Sequence, residues 1–504
     1  MREKKEKKEK KSKVKQTSKY DITEQQEITP MKKRTKKSKV NREITLITYT
    51  FVGLFVLLIG YYAKFLFVDG ENVINNSYNK RQEVLEKKVN RGMILSSDGD
   101  ILAKSVYDEE GNMTRIYPYK NLFSHSVGRY LKGKTGLESS MSFPLLTASI
   151  SPLEQIFKDI SGEKSDGDNV ITTLDVDLQK AANDALGNKR GAVVVMEPST
   201  GKILALVSKP NYDPNQVDTQ WEELLSKSNE DSQLFNRATQ GVYSPGSIYK
   251  IITALGYMRQ NPNYEEFSYT CDGTYEVDGK EIKCSNNKKH GTVNFEEAFA
   301  KSCNGAFASM LETMNISTFA TLNNDLLFNR GLGLDVPVKE SSFSLSSSSD
   351  AFEIAQTAMG QGKTTTTPVH FAMIASAIAN GGVMMKPYIV DRIENYAGDV
   401  IEKFLPKKYA TIMNAEEAQK LTSMMELVVT KGTATKLKTS KYTAAGKTGT
   451  AEVAGQDPNS WFVGFASTDS ADVVVSVIVE DAGSGSDYAV PIAKKVFEAY
   501  YKKY

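Results

Sequence analysis

The sequence predicts an α+β protein in three parts: a membrane-spanning helix, a small irregular domain, and a larger domain whose sheet is assembled from both of its ends. Three observations carry this reading. Ile44 to Tyr62 (ITLITYTFVGLFVLLIGYY) is 19 residues without a charge. Residues 91 to 165 hold short motifs and Gly-rich turns but no long periodic pattern. From residue 170 onward, strand-like runs cluster at the two ends of the segment with helical patterns between them, the order expected of an α+β domain.

The uncharged run matches the ~30 Å hydrocarbon layer of a bilayer. Tyr49, Tyr61 and Tyr62 suit its interfaces, and Lys64 can snorkel. A buried core helix would show a polar face, and a cleaved signal peptide would have a shorter basic region and a small-x-small cleavage site. Residues 1–42 carry 17 Lys+Arg and 6 Asp+Glu, a net charge of +11, so the rest of the chain carries −9 within the total of +2. A basic tail beside anionic headgroups, with an acidic folded body, predicts a membrane partner and no nucleic-acid partner. By the positive-inside rule the tail is cytoplasmic and the body extracytoplasmic, on a single-pass anchor.

Along the chain, residues 72–90 read as a polar linker running into a short helix. RGMILSSDGDILAKS at 91–105 has two apolar runs around Ser-Asp-Gly-Asp, a hairpin signal. NVITTLDVDLQKAANDAL begins as a strand and enters an amphipathic helix, with Leu174, Leu178, Ala181, Ala182 and Leu186 near helical spacing. GAVVVMEPSTGKILALVSKP reads as strand, Pro-Ser-Thr-Gly turn and strand. Pro368 after Thr367 opens a helix that Asn380-Gly381-Gly382 closes. AAGKTGTAEVA, SWFVGFAS and ADVVVSVIVED are three late strands, and PIAKKVFEAYYKKY is a closing amphipathic helix. The predicted division is a tail at 1–43, an anchor at 44–67, a small domain at 68–168 and the larger domain at 169–504.

Cys271, Cys284 and Cys303 are too few for a disulfide framework in a chain of 504 residues. Plain thiols are the first expectation, and a Cys271–Cys284 disulfide is the second. A metal site with His290 is the third, because a fourth ligand is not evident and structural zinc usually takes four.

The chemistry centres on YSPGSIYK. Pro245-Gly246 breaks the chain, and SIYKIITALGYM then reads as a helix that puts Ser247 and Lys250 on one face. Serine is a weak nucleophile until a base takes its proton, and a buried lysine of lowered pKa can be that base. At a helix start, Ser247 also sits where backbone N–H groups favour an oxyanion. Chance matches abound. Ser-x-x-Lys recurs at Ser12, Ser77, Ser161, Ser199 and Ser285, Ser-x-Asn at Ser77 and Ser285, and Lys-Thr-Gly at Lys134.

Order and context single out one set. Ser247-Ile248-Tyr249-Lys250, Ser302-Cys303-Asn304 and Lys447-Thr448-Gly449 follow one another at separations of 55 and 145 residues. They resemble the three motifs of the penicillin-binding protein and serine β-lactamase superfamily. The segments LFNRATQGVYSPGSIYK, AFAKSCNGAFA, MGQGKTTTTPVHFAMIASAIANGG and AAGKTGTAEVA are similar to transpeptidase segments of that family. RGMILSSDGDILA and GKTGLE resemble motifs of the non-catalytic domain of class B enzymes, although Ser96-Ser97 stands where the family more often has Asp-Arg. The span between anchor and catalytic domain is too short for a class A glycosyltransferase domain.

The resemblance implies an antiparallel sheet flanked by helices, on a small pedestal domain behind one transmembrane helix. It implies a peptidoglycan D,D-transpeptidase that cross-links D-Ala-D-Ala stem peptides through a serine acyl-enzyme and is acylated by β-lactams. Ser247 is then the nucleophile and Lys250 the general base. Ser302 relays protons, and Asn304 positions the substrate amide. Lys447 and Thr448 bind the substrate carboxylate, Gly449 allows close approach, and the N–H groups of Ser247 and Thr450 form the oxyanion hole. Cys303 is expected to face away as a small core residue. No metal or organic cofactor is required for this chemistry. A polytopic glycosyltransferase of the shape, elongation, division and sporulation class is the expected protein partner. The alternatives are an anchored D,D-carboxypeptidase or β-lactamase, or a non-catalytic β-lactam-binding scaffold.

Overall fold

The computed structural model describes residues 37–65, 80–226, 231–468 and 472–504. Most of the basic tail and the first part of the 72–90 linker fall outside them. The chain divides into two compact units, 1–70 and 71–504.

The first unit contains helix α1 (Lys37–Lys64, 28 residues). Its stretch Arg42–Lys64 is long and apolar enough to cross a membrane, and its central window has no share buried in protein. Leu54, Val56, Leu57 and Ile59 all face outward, which water would penalise and lipid would not. The hydroxyls of Thr48 and Thr50 donate to the carbonyls of Ile44 and Leu46 at 2.8 and 2.9 Å, so neither is left bare along the apolar span.

In the second unit, the polar segment does enter a short helix (Lys80–Lys88). The predicted hairpin forms between Ile94–Leu95 and Ile101–Tyr107. Ser96 makes its turn: its N–H donates to the Asp100 carbonyl and its Oγ accepts from the Asp100 N–H at 2.9 Å. Two motifs read separately in the sequence meet here. Arg91, which opens the first, donates Nε to Glu138, which closes the second, at 2.8 Å. Arg115 donates to the other oxygen of the same carboxylate at 2.6 Å. Burial opposes charge on Glu138, but Arg115 and Arg91 outweigh it and hold the carboxyl below its ordinary range. A carboxylate this buried depends on its partners. Glu138→Gln leaves two buried guanidiniums uncompensated and is expected to cost ~3–5 kcal/mol. The check is a lowered thermal midpoint with faster proteolysis of the 91–170 region.

The sheet of this small domain draws on distant chain. Its six strands include Asn169–Thr172, parallel to Ile94–Leu95, then Val390–Glu394 and Val400–Lys403. It therefore straddles the 168/169 boundary and borrows a hairpin from the middle of the larger domain.

The larger domain follows the predicted plan. Helix α2 (Val176–Leu186) is capped by Asp175, whose Oδ1 accepts from the Leu178 N–H at 2.8 Å. Strands β1 (Gly191–Met196) and β2 (Ile203–Lys209) pair across the expected turn, with Gly201 at φ +89°. Helices α3 (Lys250–Gln260), α4 (Asn304–Glu312), α5 (Pro368–Ala379) and α6 (Ala415–Thr430) occupy the middle. Thr367 caps α5, with Pro368 in its first turn. Then come β3 (Thr443–Ala451), β4 (Asn459–Ser467), β5 (Asp472–Val479) and helix α7 (Ala489–Lys503). All five strands are antiparallel in the order β3–β4–β5–β1–β2. Helix α5 packs on β5, β1 and β4, while α7 and α2 pack on each other and on β5, β4 and β2. With both faces covered, every residue of β1 is buried, which is why these strands read as apolar runs without alternation. Only β3 and β2 are edges, and β3 carries Lys447-Thr448-Gly449.

Candidate active site

Pro-Gly does break the chain before Ser247, but Ser247 lies in a 3₁₀ turn (Gly246–Tyr249) that leads into α3. Gly246 has φ +55°, and a Cβ there would meet the Thr450 carbonyl oxygen at 2.7 Å. The Ser247 turn thus lies backbone to backbone against edge strand β3. Gly449 repeats the constraint from the other side, since its Cβ would meet Trp461 at 2.8 Å and the Pro245 carbonyl at 3.0 Å. Two anchors hold the turn: the Gly246 N–H donates to the Gly360 carbonyl at 2.8 Å, and Trp461 Nε1 donates to the Ser244 carbonyl at 3.1 Å.

Lys250 is wholly buried beneath this turn. Its ammonium does not bond Ser247 in the resting enzyme. It donates to Asn304 Oδ1 at 2.6 Å, the Ser302 carbonyl at 2.8 Å and Ser302 Oγ at 3.2 Å. Three acceptors take its three donors, and Ser247, half-buried, has no hydrogen bond to its Oγ among the described residues.

Ser302 makes this possible by an unusual conformation. It sits at φ +57° between Phe295–Ala300 and α4, a left-handed geometry uncommon for serine. The turn aims its carbonyl and hydroxyl at the same amine. Lys447, also fully buried, reaches the same hydroxyl from β3 at 2.9 Å. The resemblance places Lys447 and Thr448 on the substrate carboxylate. In the structure the Lys447 amine donates to Ser302 Oγ and to the Thr448 carbonyl at 3.2 Å, and Thr448 and Thr450 line the groove in front of it.

Burial pushes the Lys250 amine down to about 8, against an upward pull from Cys303 and Cys284. Burial, and then the charge of Lys250, push Lys447 well below the ordinary lysine range. Two ammoniums sharing one hydroxyl resist being charged together. A neutral amine can then accept from Ser302 Oγ while the charged one donates to it, a ready relay. Acylation is expected to accelerate with pH and level off above about 8 as the lysine pair loses a proton. Ser302, Asn304, Lys447, the Phe307 ring at 5.4 Å, Cys303 and Cys284 face the amine, so stopped-flow acylation against pH reads an apparent value for the cluster.

The site opens into a groove of about 980 Å³. Ser247, Ser302, Asn304, Thr448 and Thr450 line it together, with Lys250, Lys447 and Gly449 immediately behind. Its walls also contain residues without a motif. Thr433, beyond α6, bonds the Thr448 hydroxyl at 2.5 Å. The Lys283 carbonyl accepts from Asn304 Nδ2 at 2.7 Å, fixing the amide. Phe352, Met359 and the 483–487 loop complete the rim. The competing Ser-x-x-Lys at Ser285 also borders the groove, but Lys288 is exposed and its amine would keep an ordinary hydration shell. Lys134-Thr135-Gly136 belongs to the small domain, where Lys134 pairs with Glu86 at 2.9 Å. The rim carboxylates Glu281, Glu452 and Asp487 are solvent-facing, Asp487 being paired with Lys436. Among the described residues none bonds Ser247 or Lys250.

A family model described as "Penicillin binding protein transpeptidase domain" matches residues 191–498. A second, "Penicillin binding protein A dimerisation domain", matches residues 91–170. The curated "Peptidoglycan D,D-transpeptidase PbpA" of Mycobacterium tuberculosis is 31% identical over 91% of this chain and 99% of its own length. "Peptidoglycan D,D-transpeptidase MrdA" of Acinetobacter baumannii is 28% identical over 77% of this chain and 66% of its own. Among solved structures, a ceftriaxone acyl-enzyme of penicillin-binding protein A from M. tuberculosis superposes with a TM-score of 0.75 at 30% identity, covering 82% of this chain and 99% of that one.

Proposed function

The chain belongs to the class B penicillin-binding protein transpeptidases, and from that membership we propose that Ser247 is the nucleophile through which it acts. It is a peptidoglycan D,D-transpeptidase that forms serine acyl-enzymes with β-lactams. Ser247 Oγ attacks the carbonyl carbon of the penultimate D-Ala, and its proton passes to the Lys250 amine. The N–H groups of Ser247 and Thr450 receive the oxyanion. Collapse expels the terminal D-Ala, whose amine takes a proton relayed through Ser302 from the lysine pair. An amine of a second stem peptide then attacks the ester and regenerates Ser247. A β-lactam follows the same first step, but its ring nitrogen, protonated as it leaves as an amine, stays tethered.

Asn304 orients the peptide amide, and Thr448 receives the carboxylate, with Lys447 contributing charge from behind Ser302. The peptide can lie along the free edge of β3, which supplies main-chain hydrogen bonds. The observation that carries this assignment is the convergence of two buried lysines on the Ser302 hydroxyl beneath a half-exposed serine. The rim carboxylates have no bond to that centre, which favours a long-lived acyl-enzyme over a β-lactamase.

The division into an anchor at 44–67, a pedestal at 68–168 and a catalytic domain at 169–504 is part of the same reading. The N-terminal helix is the anchor, with the tail cytoplasmic and the catalytic domain outside. Helix and pedestal would contact a polytopic glycosyltransferase. Complex formation that survives replacement of α1 by an unrelated span would remove the helix from that contact.

The deciding experiment is time-resolved intact-mass analysis of the full chain in detergent with a penicillin. A persistent adduct mapping to the peptide containing Ser247 supports the transpeptidase reading. A transient adduct with steady penicillin loss means a β-lactamase, and no adduct means a scaffold.

A further inference from the structure

Cys271, Cys284, His290 and Cys303 gather behind the Ser302-Cys303-Asn304 turn, and their three sulfurs and the imidazole nitrogen lie within 4.8 Å of one another. Cys271 Sγ is 3.7 Å from Cys284 Sγ and 3.5 Å from His290 Nδ1. Cys284 Sγ is 3.9 Å from Cys303 Sγ. The three thiols are free, since bonded sulfurs would be about 2.05 Å apart. Tetrahedral zinc, with Zn–S about 2.3 Å and Zn–N about 2.0 Å, sets sulfurs ~3.8 Å apart and sulfur ~3.5 Å from nitrogen. The Cys271–Cys284, Cys271–His290 and Cys284–Cys303 spacings are close to those of a coordination shell, and the remaining pairs lie within 4.8 Å.

The local fold explains what such a shell would do. Cys271 ends the strand Ser268–Cys271, whose partner Gly291–Asn294 starts immediately after His290. Cys284 follows the hairpin of Thr274–Val277 and Lys280–Lys283. These are isolated pairs of four-residue strands, marginal by themselves, yet the 281–290 stretch between them forms one wall of the groove and presents the Lys283 carbonyl to Asn304. Cys303 sits at the start of α4, flanked on both sides by residues of the site.

We propose that Cys271, Cys284, Cys303 and His290 bind one structural Zn²⁺, tying the hairpin wall to the Ser302 turn. Four protein ligands close the shell, leaving no open position for substrate or water. Each coordinating thiol gives up its proton, and His290 coordinates as the neutral imidazole. The ion would brace the left-handed Ser302 from behind. It takes no part in acyl transfer, so the proposal stands independently of the roles assigned to Ser247 and Lys250.

The test uses the full chain in detergent, purified reduced and without chelator. Elemental mass spectrometry is expected to find one Zn²⁺ per chain, and Cys284→Ser and Cys303→Ala are each expected to lose it. Because those variants can fail to fold, the wild type is also stripped and reloaded with Co²⁺. Strong visible bands of tetrahedral cobalt with a thiolate charge-transfer band in the near ultraviolet are expected. A reduced, zinc-supplied wild type that holds no metal and gives only the weak spectrum of hydrated cobalt overturns the proposal. So does a disulfide between any two of the three cysteines in a parallel preparation isolated without reductant.

Discussion

Ser247→Ala is expected to abolish penicillin labelling of the intact chain while leaving its thermal midpoint unchanged. The two halves of that expectation come from different observations. Ser247 Oγ is the group facing the groove above the lysine pair, and removing a catalytic serine hydroxyl typically costs on the order of 10⁶-fold in turnover. Yet the hydroxyl has no hydrogen bond among the described residues, and the turn is held by its backbone and by Gly246 and Gly449. Losing it leaves no buried group unsatisfied. Intact-mass time courses and a melting curve on the same preparation check both halves. Full labelling of the variant would move the nucleophile elsewhere.

The second large effect concerns Lys250. Lys250→Met is expected to slow acylation by ~10²–10⁴-fold, the range for loss of a general base. Methionine fills a similar volume, and removing a desolvated charge offsets the loss of its bonds to Asn304 and Ser302, so stability is expected to change little. Lys250→Arg separates base from charge. It keeps a cation but cannot give up a proton, so a variant that stays equally slow assigns Lys250 as the base. Recovery of rate in the arginine variant would make its role electrostatic. Stopped-flow acylation with each variant reads the difference.

The parts of the molecule legible in the sequence were those with local signals. The uncharged span became α1, the Thr367-Pro368 and Asn380-Gly381 punctuation bounded α5, and the three motifs met in one groove. What escaped was built from distant pairings between short elements. The Ile94–Leu95/Ile101–Tyr107 hairpin was legible from its turn, but strands of two to five residues such as Val390–Glu394 and Val400–Lys403 are too short to show a period of two, so their joining to it in one six-stranded sheet was not. Arg91 and Glu138 each stood in a recognisable motif, but nothing local said that they touch. Lys447 was assigned by its motif, and only packing revealed that its amine is turned inward to Ser302. Cys303 read as a core residue because cysteine commonly is one. The structure makes it the fourth member of the cluster that the sequence lacked.

The five-stranded sheet also constrains how the chain can be made. Strands β1 and β2 emerge early, but β1 acquires its inner partner only when β5 arrives some 280 residues later. Until then the hairpin presents a long apolar edge, Gly191–Met196, with unpaired backbone groups. Such an intermediate is prone to aggregate. A chain crossing a membrane would carry that edge throughout its export, so truncations that remove β5 are expected to be lost to degradation, even though Ser247, Ser302 and Lys447 with their motifs all precede the cut.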